Sequence, residues 1–396
     1  MSIFAALTCL VFLAYIATSL ALLAGTYFKS AARSFPEKNT AWPFLSVLIA
    51  ARNEEKNLPA CLASLLQTDY PHTLFEIIVI DDRSTDRTLA LAQEYARAHV
   101  QVRVISVSQL SPGMSGKAGA LARGVAGAAG EIFLFTDADC ILPPGWMRNM
   151  AQHFSPGIGL AGGFTLLRPP SWALPFIKEE RTTLFAKLQT LDWIYLLTLG
   201  AGAAGLGKPV SIIGNNFGMR REAYEQIGGH EALGFSIVED FALMHKLART
   251  TPWRVHFALE TNIAIFSFPA RGWKDFFDQR RRWTIGGREF GGWAQYLIVL
   301  ALLCHAALAA AAFHSAALFG FGASSMLLMD FFVLWRGAAA LQCRDLLKYF
   351  LPFRIYFLLY NLAGAPFFFW PFSVRWKGRR YRWNARRRLQ AIEEES

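Results

Sequence analysis

Two carboxylates one residue apart, Asp137 and Asp139, follow the apolar run Phe133-Leu134-Phe135-Thr136 and precede the breaker Pro143-Pro144-Gly145. An apolar run ending this way delivers charge to the end of a buried strand. On an extended chain, side chains at i and i+2 leave on the same face. Asp137 and Asp139 could therefore share one divalent cation, or one could hold a ribose while the other holds the metal. An ordinary acidic turn capping the next helix has the same short pattern, so the rest of the chain has to decide.

The elements that would position this pair can be read upstream. The run 44–50 is continuously apolar, as strands of a parallel sheet are; a helix is expected over 55–66 and a second buried strand over 75–80, ending in Asp81-Asp82. Ser84-Thr85-Asp86 starts a helix that runs to Ala98. A third strand over 102–107, a loop opening at Ser111-Pro112-Gly113, a helix over 117–126 and a strand over 132–135 follow. Strands alternating with helices of this length predict an α/β fold, a doubly wound and mostly parallel sheet. Ligands of such sheets bind beyond the carboxyl ends of the strands. Three of these ends are polar: Arg52-Asn53-Glu54, Asp81-Asp82 and Asp137-Asp139.

Composition adds a membrane. The chain is 54% hydrophobic, 14% aromatic and only 17% charged, against the roughly 25% charged of soluble domains. Its net charge of +11 is concentrated at Arg375, Lys377, Arg379, Arg380, Arg382, Arg386, Arg387 and Arg388, interleaved with Trp376, Tyr381 and Trp383. Directly after an apolar segment, that cluster reads as a cytoplasmic anchor on anionic headgroups and not as a nucleic-acid surface. The five cysteines, Cys9, Cys61, Cys140, Cys304 and Cys343, form no C-x-x-C, so neither a zinc site nor a disulfide framework is expected.

Further along, the motifs add up. Val47-Leu48-Ile49-Ala50-Ala51-Arg52-Asn53-Glu54-Glu55, Ile78 to Thr88 with its Asp81-Asp82, Gly116-Lys117-Ala118-Gly119-Ala120-Leu121 and Asp137-Ala138-Asp139 resemble the nucleotide-sugar half of family-2 inverting glycosyltransferases. Gly214-Asn215-Asn216-Phe217-Gly218-Met219-Arg220, Val238-Glu239-Asp240 and Gln279-Arg280-Arg281-Arg282-Trp283 resemble the acceptor half, including the Q-x-x-R-W signature of the membrane-bound members. The match keeps its order from Phe44 to Trp283. Arg344-Asp345-Leu346-Leu347 and Val374 to Tyr381 look like the C-terminal end of the ceramide glucosyltransferase branch.

The resemblance implies an A-type, Rossmann-like glycosyltransferase domain with a UDP-sugar donor and Mg2+ or Mn2+ as cofactor. By it, Asp139 is the metal ligand, Asp137 lies near ribose or metal, and Ala138 stands with them in the donor site. Asp82 accepts from the uracil N–H, and Ala50, Arg52 and Glu54 line base and ribose; many relatives carry a small hydroxyl residue where Ala50 stands. Lys117, at a helix start, pairs with diphosphate or is solvated. Asp240 fits the general base of an inverting displacement: it sits between the runs 234–238 and 241–247, and apolar surroundings raise a carboxylate's pKa. Glu239 orients a neighbour; Glu239-Asp240 also suits a helix N-terminus as negative charge. On a helix, Gln279, Arg282 and Trp283 share one face, where Arg282 forks diphosphate oxygens and Trp283 gives a flat wall to acceptor or sugar. Arg280 and Arg281 fall off that face and are expected to meet headgroups.

The expected layout is an N-terminal transmembrane anchor over 1–28, a linker over 29–43, a cytoplasmic glycosyltransferase domain over 44–290, a transmembrane and re-entrant region over 291–373 and a basic cytoplasmic tail over 374–396. Residues 2–28 carry no charge and are followed by Lys29, Arg33 and Lys38, which places the following domain in the cytoplasm, as in a bacterial inner membrane. Around 172–207, helices lying at the membrane surface are expected, with Trp172, Phe176, Phe185 and Trp193 as interfacial aromatics, because Asp192 interrupts the apolar run. Trp293 to Phe321 reads as one span; two full spans and one interfacial segment follow Trp283. The leading function is transfer of a hexose from a UDP-sugar to a lipid hydroxyl with inversion. Processive polysaccharide synthases share the catalytic motifs but need a channel of several helices. A membrane scaffold with a dead transferase fold would show decay at Asp139, Asp240 or Arg282, and all three are present.

Overall fold

The computed structural model describes residues 2–28, 42–109, 113–114, 116–177, 183–289, 292–369, 374–376, 379–383 and 389–394. Lys29, Arg33 and Lys38 of the linker, Ser111-Pro112, Lys377 and Arg386 to Arg388 lie outside the described residues. The N-terminal helix α1 (Ile3–Gly25) is followed by β1 (Leu45–Ala51), α2 (Leu58–Leu66), β2 (Phe75–Asp81), α3 (Thr88–Ala98), β3 (Val102–Ser106), α4 (Gly116–Ala126) and β4 (Ile132–Asp137). Then come α5 (Trp146–Gln152), β5 (Ile158–Gly162), the short β6 (Thr165–Leu166), α6 (Leu184–Gly205), β7 (Phe217–Arg220), α7 (Arg221–Gln226), α8 (Glu239–Thr250), β8 (Arg254–Phe257) and β9 (Ile265–Phe266). The helices α9 (Trp273–Glu289), α10 (Trp293–His314), α11 (Ala316–Ala340) and α12 (Phe350–Phe369) lead to a small antiparallel sheet of β10 (Val374–Trp376), β11 (Arg379–Trp383) and β12 (Leu389–Glu394).

The main sheet has seven strands in the order β3-β2-β1-β4-β7-β5-β8. It is mixed: β7 runs antiparallel to both β4 and β5, while the β3-β2-β1-β4 half is parallel. Continuous apolar runs suit this half because both faces are covered. Leu48, Ile78, Ile80, Phe133 and Phe135 pack into one core with α4 and α6, whereas Val47, Ile49, Ile77, Val79 and Leu134 pack into the other with α2 and α5. Burying each such side chain contributes roughly 1.5–3 kcal/mol. Register then aligns the strand ends: Ala50 pairs with Ile80 on one side and Asp137 on the other, and Ala51 pairs with Asp81.

Three helices among the described residues are long and apolar enough to cross a membrane: α1, α10 and α11. The expected single span from Trp293 to Phe321 is two helices, because the chain breaks at Ser315, whose extended backbone and side chain cap α11 by accepting from the Leu318 N–H at 3.4 Å. The helix α12 is not among those three.

The region 172–207 also departs from expectation. Helix α6 does not lie on a surface: seven consecutive residues, Gln189 to Tyr195, are buried, which covers every side of a helix of 3.6 residues per turn. It runs between the sheet and helices α1, α11 and α12. Trp193 is 6% exposed and so is no interfacial aromatic, while Trp172 and Phe176 are half-buried around Ala173 and Phe266. The polar Asp192 that argued for a surface helix has a buried partner instead.

Candidate active site

The loops after β1 and β2 hold each other. Asn53, in left-handed backbone conformation at φ 54°, accepts the Thr85 N–H at 2.8 Å with its Oδ1 and donates its own N–H to Ser84 Oγ at 3.1 Å. Glu54 N–H donates to Thr88 Oγ1 at 2.8 Å, and Arg87 N–H to Glu55 Oε2 at 3.1 Å. Asp82, which is buried, pairs with Arg83 at 3.1 Å. The stitching presents Arg52, Glu54 and Asp82 beside the Asp137-Ala138-Asp139 turn at the end of β4.

Lys117, in the first turn of α4, reaches across to that turn. Its Nζ lies 2.7 Å from Asp137 Oδ1 and 3.2 Å from Glu239 Oε1. Burial disfavours the ammonium, but Asp137 and Glu239 outweigh it and raise its pKa, so Lys117 stays charged. Expected to meet a diphosphate or solvent, Lys117 ties Asp137 of β4 to Glu239 at the start of α8. Asp137 thus has a cation of the protein's own. Among the described residues no cluster of three or more His, Cys, Asp or Glu could hold a metal unaided. Asp139, half-buried beside the cavity, fits an ion that keeps several water and phosphate oxygens, as Mg2+ does. Neither nearby thiol offers a thiolate: burial, then Asp139 and Asp137, push Cys61 and Cys140 up.

Glu239 and Asp240 open α8. Burial first, and then the Glu239 charge, push Asp240 up to about 6, against the pull of Lys117, the Phe241 N–H and Arg282. A carboxylate so placed can take up a proton near neutral pH. Gly214 is what makes room for it: a Cβ there would stand 2.6 Å from Asp240 Oδ2. The next motif residues anchor the loop, as Asn216 Oδ1 accepts the Trp146 indole N–H at 2.9 Å and Asn215 Oδ1 accepts the Thr165 hydroxyl at 2.7 Å. His230, which the sequence did not single out, is fully buried against Tyr224, its Nδ1 2.8 Å from the hydroxyl. Burial lowers its pKa to about 4 and Glu239 opposes this only in part, so it is neutral beside the lysine.

Residues 273–289 form the expected helix α9, and Gln279, Arg282 and Trp283 border the same space as Asp240. Arg280 is the exception to the expected pattern. It meets no headgroup; it is 8% exposed and is ion-paired with the fully buried Asp192 of α6. Its guanidinium lies 4.3 Å from the ring centre of Trp283 and 4.8 Å from that of Phe276. A lone carboxylate inside an apolar stretch demands such a partner, and that was the signal in the sequence. Arg281 makes a half-exposed contact to Asp278 at 3.6 Å.

All these groups border one cavity of about 890 Å³: Ala50, Arg52, Glu54, Asp82, Lys117, Asp137, Ala138 and Asp139 at its sheet end, and Glu239, Asp240, Gln279, Arg282 and Trp283 beyond them. From there an apolar arm continues between α6, α10 and α12, lined by Trp193, Leu196 and Leu199, by Leu297, Ile298 and Ala301, and by Phe357 and Tyr360.

The family described as Glycosyl transferase family 2 matches residues 46–228. A beta-monoglucosyldiacylglycerol synthase of Synechocystis sp. is 33% identical over 30% of this chain and 24% of its own length. A poly-beta-1,6-N-acetyl-D-glucosamine synthase of Staphylococcus epidermidis is 24% identical over 62% of this chain and 55% of its own. The chain thus spans about a quarter of the first relative and about half of the second. A mannosyltransferase of Pyrobaculum calidifontis, solved with GDP-Man and Mn2+, shares the fold at a TM-score of 0.55 and 20% identity, over 86% of this chain and 99% of that one. Residues 46–228 are thus similar to that family, and three helices among the described residues are long and apolar enough to span a membrane.

Proposed function

We propose that the protein moves one hexose from a UDP-sugar to the hydroxyl of a lipid, with inversion, at the cytoplasmic face of a membrane. The observation that carries this reading is the single cavity whose sheet end gathers carboxylates and whose other end is an apolar arm between helices. A polar nucleotide suits the first and an alkyl chain the second. The match to a glucosyldiacylglycerol synthase supports a lipid acceptor. The Lys and Arg residues after α1 and in the tail favour a cytoplasmic side for both, with contacts to anionic headgroups; the tail's resemblance to ceramide glucosyltransferases points the same way.

In this reading Asp82 accepts from the base, Ala50, Arg52 and Glu54 line base and ribose, and Asp137 and Ala138 sit under the donor. Asp139 holds a Mg2+ or Mn2+ ion, which when bound neutralises diphosphate charge. Lys117 keeps Asp137 and Glu239 in place and adds positive charge beneath the diphosphate. Asp240 accepts the proton of the attacking hydroxyl on the face opposite the leaving group, and no covalent intermediate on the protein is required. Arg282 forks diphosphate oxygens. Gln279 positions the departing group, and Trp283 stacks on sugar or acceptor.

Purified protein with a panel of UDP-sugars, Mn2+ and extracted lipids tests this by UDP release and lipid mobility. The expected product stays in the organic phase with one added hexose, and chelation abolishes it. A polymer in the aqueous phase would favour a processive synthase, and no turnover of any UDP-sugar would remove the proposal.

A further inference from the structure

Helix α6 grips the approach to α9 at two points on one face. Gln189 and Asp192, three residues apart, both point there: Gln189 accepts the Ala270 N–H at 2.9 Å and donates to the Ala270 carbonyl at 3.2 Å, just before α9 begins. Asp192 takes Arg280 with one oxygen and the Tyr360 hydroxyl of α12 with the other, the latter at 3.0 Å. The Tyr356 hydroxyl of α12 is the other polar group that acts on Arg280, whose Nε and Nη1 make no hydrogen bond. Its flat face is instead enclosed by Phe276, Trp283 and Tyr360, at 4.8, 4.3 and 5.5 Å from the ring centres. Trp193, next to Asp192, packs on Trp283 from the other direction at 5.6 Å between centroids. One turn of α9 is therefore fixed from α6 and α12, which are also walls of the apolar arm.

We propose that Asp192, Arg280 and Tyr360 form a positioning unit for glycosyl transfer: the buried ion pair sets the rotation of α9 that turns Arg282 and Trp283 into the cavity, and ties that rotation to the two helices that line the arm. The inference rests on the proposed transfer only for its activity readout. Buried pairs of this kind are poor sources of net stability compared with apolar replacements, and their best-attested use is to specify one arrangement among several. Here the arrangement specified is that of the Q-x-x-R-W turn. A misplacement of about 1 Å at such a turn costs on the order of a hundredfold in rate.

The test uses the full chain in detergent, as wild type, as Asp192→Asn, and as the charge-free pair Asp192→Asn with Arg280→Met. Hydrogen exchange is followed over 273–289, with 45–51 as the internal reference, and UDP affinity in Mn2+ and transfer from UDP-glucose to dioctanoylglycerol are measured on the same samples. Both variants are expected to exchange ~10-fold faster over α9, with the strand unchanged, to lose ~100-fold in kcat and to bind UDP more weakly, because Arg282 forks its diphosphate. The proposal is overturned if Asp192→Asn exchanges like the wild type. It is equally overturned if the charge-free pair restores wild-type exchange, since the ion pair would then only balance a buried charge. If the wild type binds no UDP, the donor reading fails, yet exchange over α9 still decides the positioning unit.

Discussion

At the sheet end of the cavity, charged groups sit on loops after β1, β2 and β4 and are held by near neighbours in a dense network. Behind its helical end they are single carboxylates sunk in apolar helices, each matched by one arginine of another helix. Asp192 of α6 meets Arg280 of α9. Asp330 of α11 meets Arg354 of α12 at 2.5 Å, with the hydroxyls of Tyr195 at 2.5 Å and of Tyr15 on the same carboxylate. The first design tunes charge for chemistry, with Lys117 shared between two acids. The second uses charge to choose how helices sit against one another. Loss of a group should therefore have different consequences: at the sheet end rate falls and the fold survives, whereas among the helices the packing loosens, which costs stability at Asp330 and reaches the rate only at Asp192, whose partner Arg280 stands on α9.

The largest expected effect lies just beyond the sheet end, at the start of α8. Asp240→Asn removes a proton acceptor whose type contributes about 10²–10⁴-fold, so transfer falls by that order while UDP affinity, by calorimetry, is unchanged. The same group sets a pH profile. Raised to about 6 by burial and Glu239, Asp240 is protonated below that pH and cannot act as base, so kcat/KM should climb through pH 6 and level off above it. A profile flat from pH 5 to 8 would break the assignment.

Next in size is Asp330→Asn, which leaves Arg354 buried without its counter-charge. Breaking such a pair costs about 3–5 kcal/mol, seen as a lower melting temperature in detergent, whereas kcat of the protein still folded should change little. If activity falls without loss of stability, the contrast between the two ends fails. Gly214→Ala sharpens it from the other side. The added methyl meets the Asp240 carboxylate and should cut kcat by roughly 10–100-fold with the melting temperature nearly preserved. The smallest effect belongs to Arg168, whose pairing with Asp345 at 2.6 Å is half-exposed on both sides. Arg168→Ala should shift stability by under about 1 kcal/mol and leave transfer intact.

The same contrast governs what could be read from the sequence. Asp82, Asp137, Asp139 and Asp240 were legible because each closes or follows an apolar run, and register alone carries Ala50, Asp81 and Asp137 to one edge. Lys117 was legible as a charge but not as a bridge, since its second partner Glu239 lies far along the chain. Asp192 announced itself as a carboxylate in an apolar helix, yet nothing local names Arg280 as its partner. That arginine was set apart as off the working face, when it holds that face in position. Nor does the sequence tell a surface helix from a buried one where small residues abound: Gly202 and Gly205 prove to be a contact surface.

Those small residues bear on how the protein can be handled. A side chain at Gly202 would run into the backbone at Leu22, and one at Gly205 into the backbone at Gly25, so α1 and α6 touch main chain to main chain. The N-terminal helix is thus a fitted part of the cavity's foundation, and an apolar helix of other sequence cannot be grafted in its place. A shortened version made for crystals or assays by cutting away α1 would expose that seam, and with it the back of the helix that carries Asp192 and Trp193.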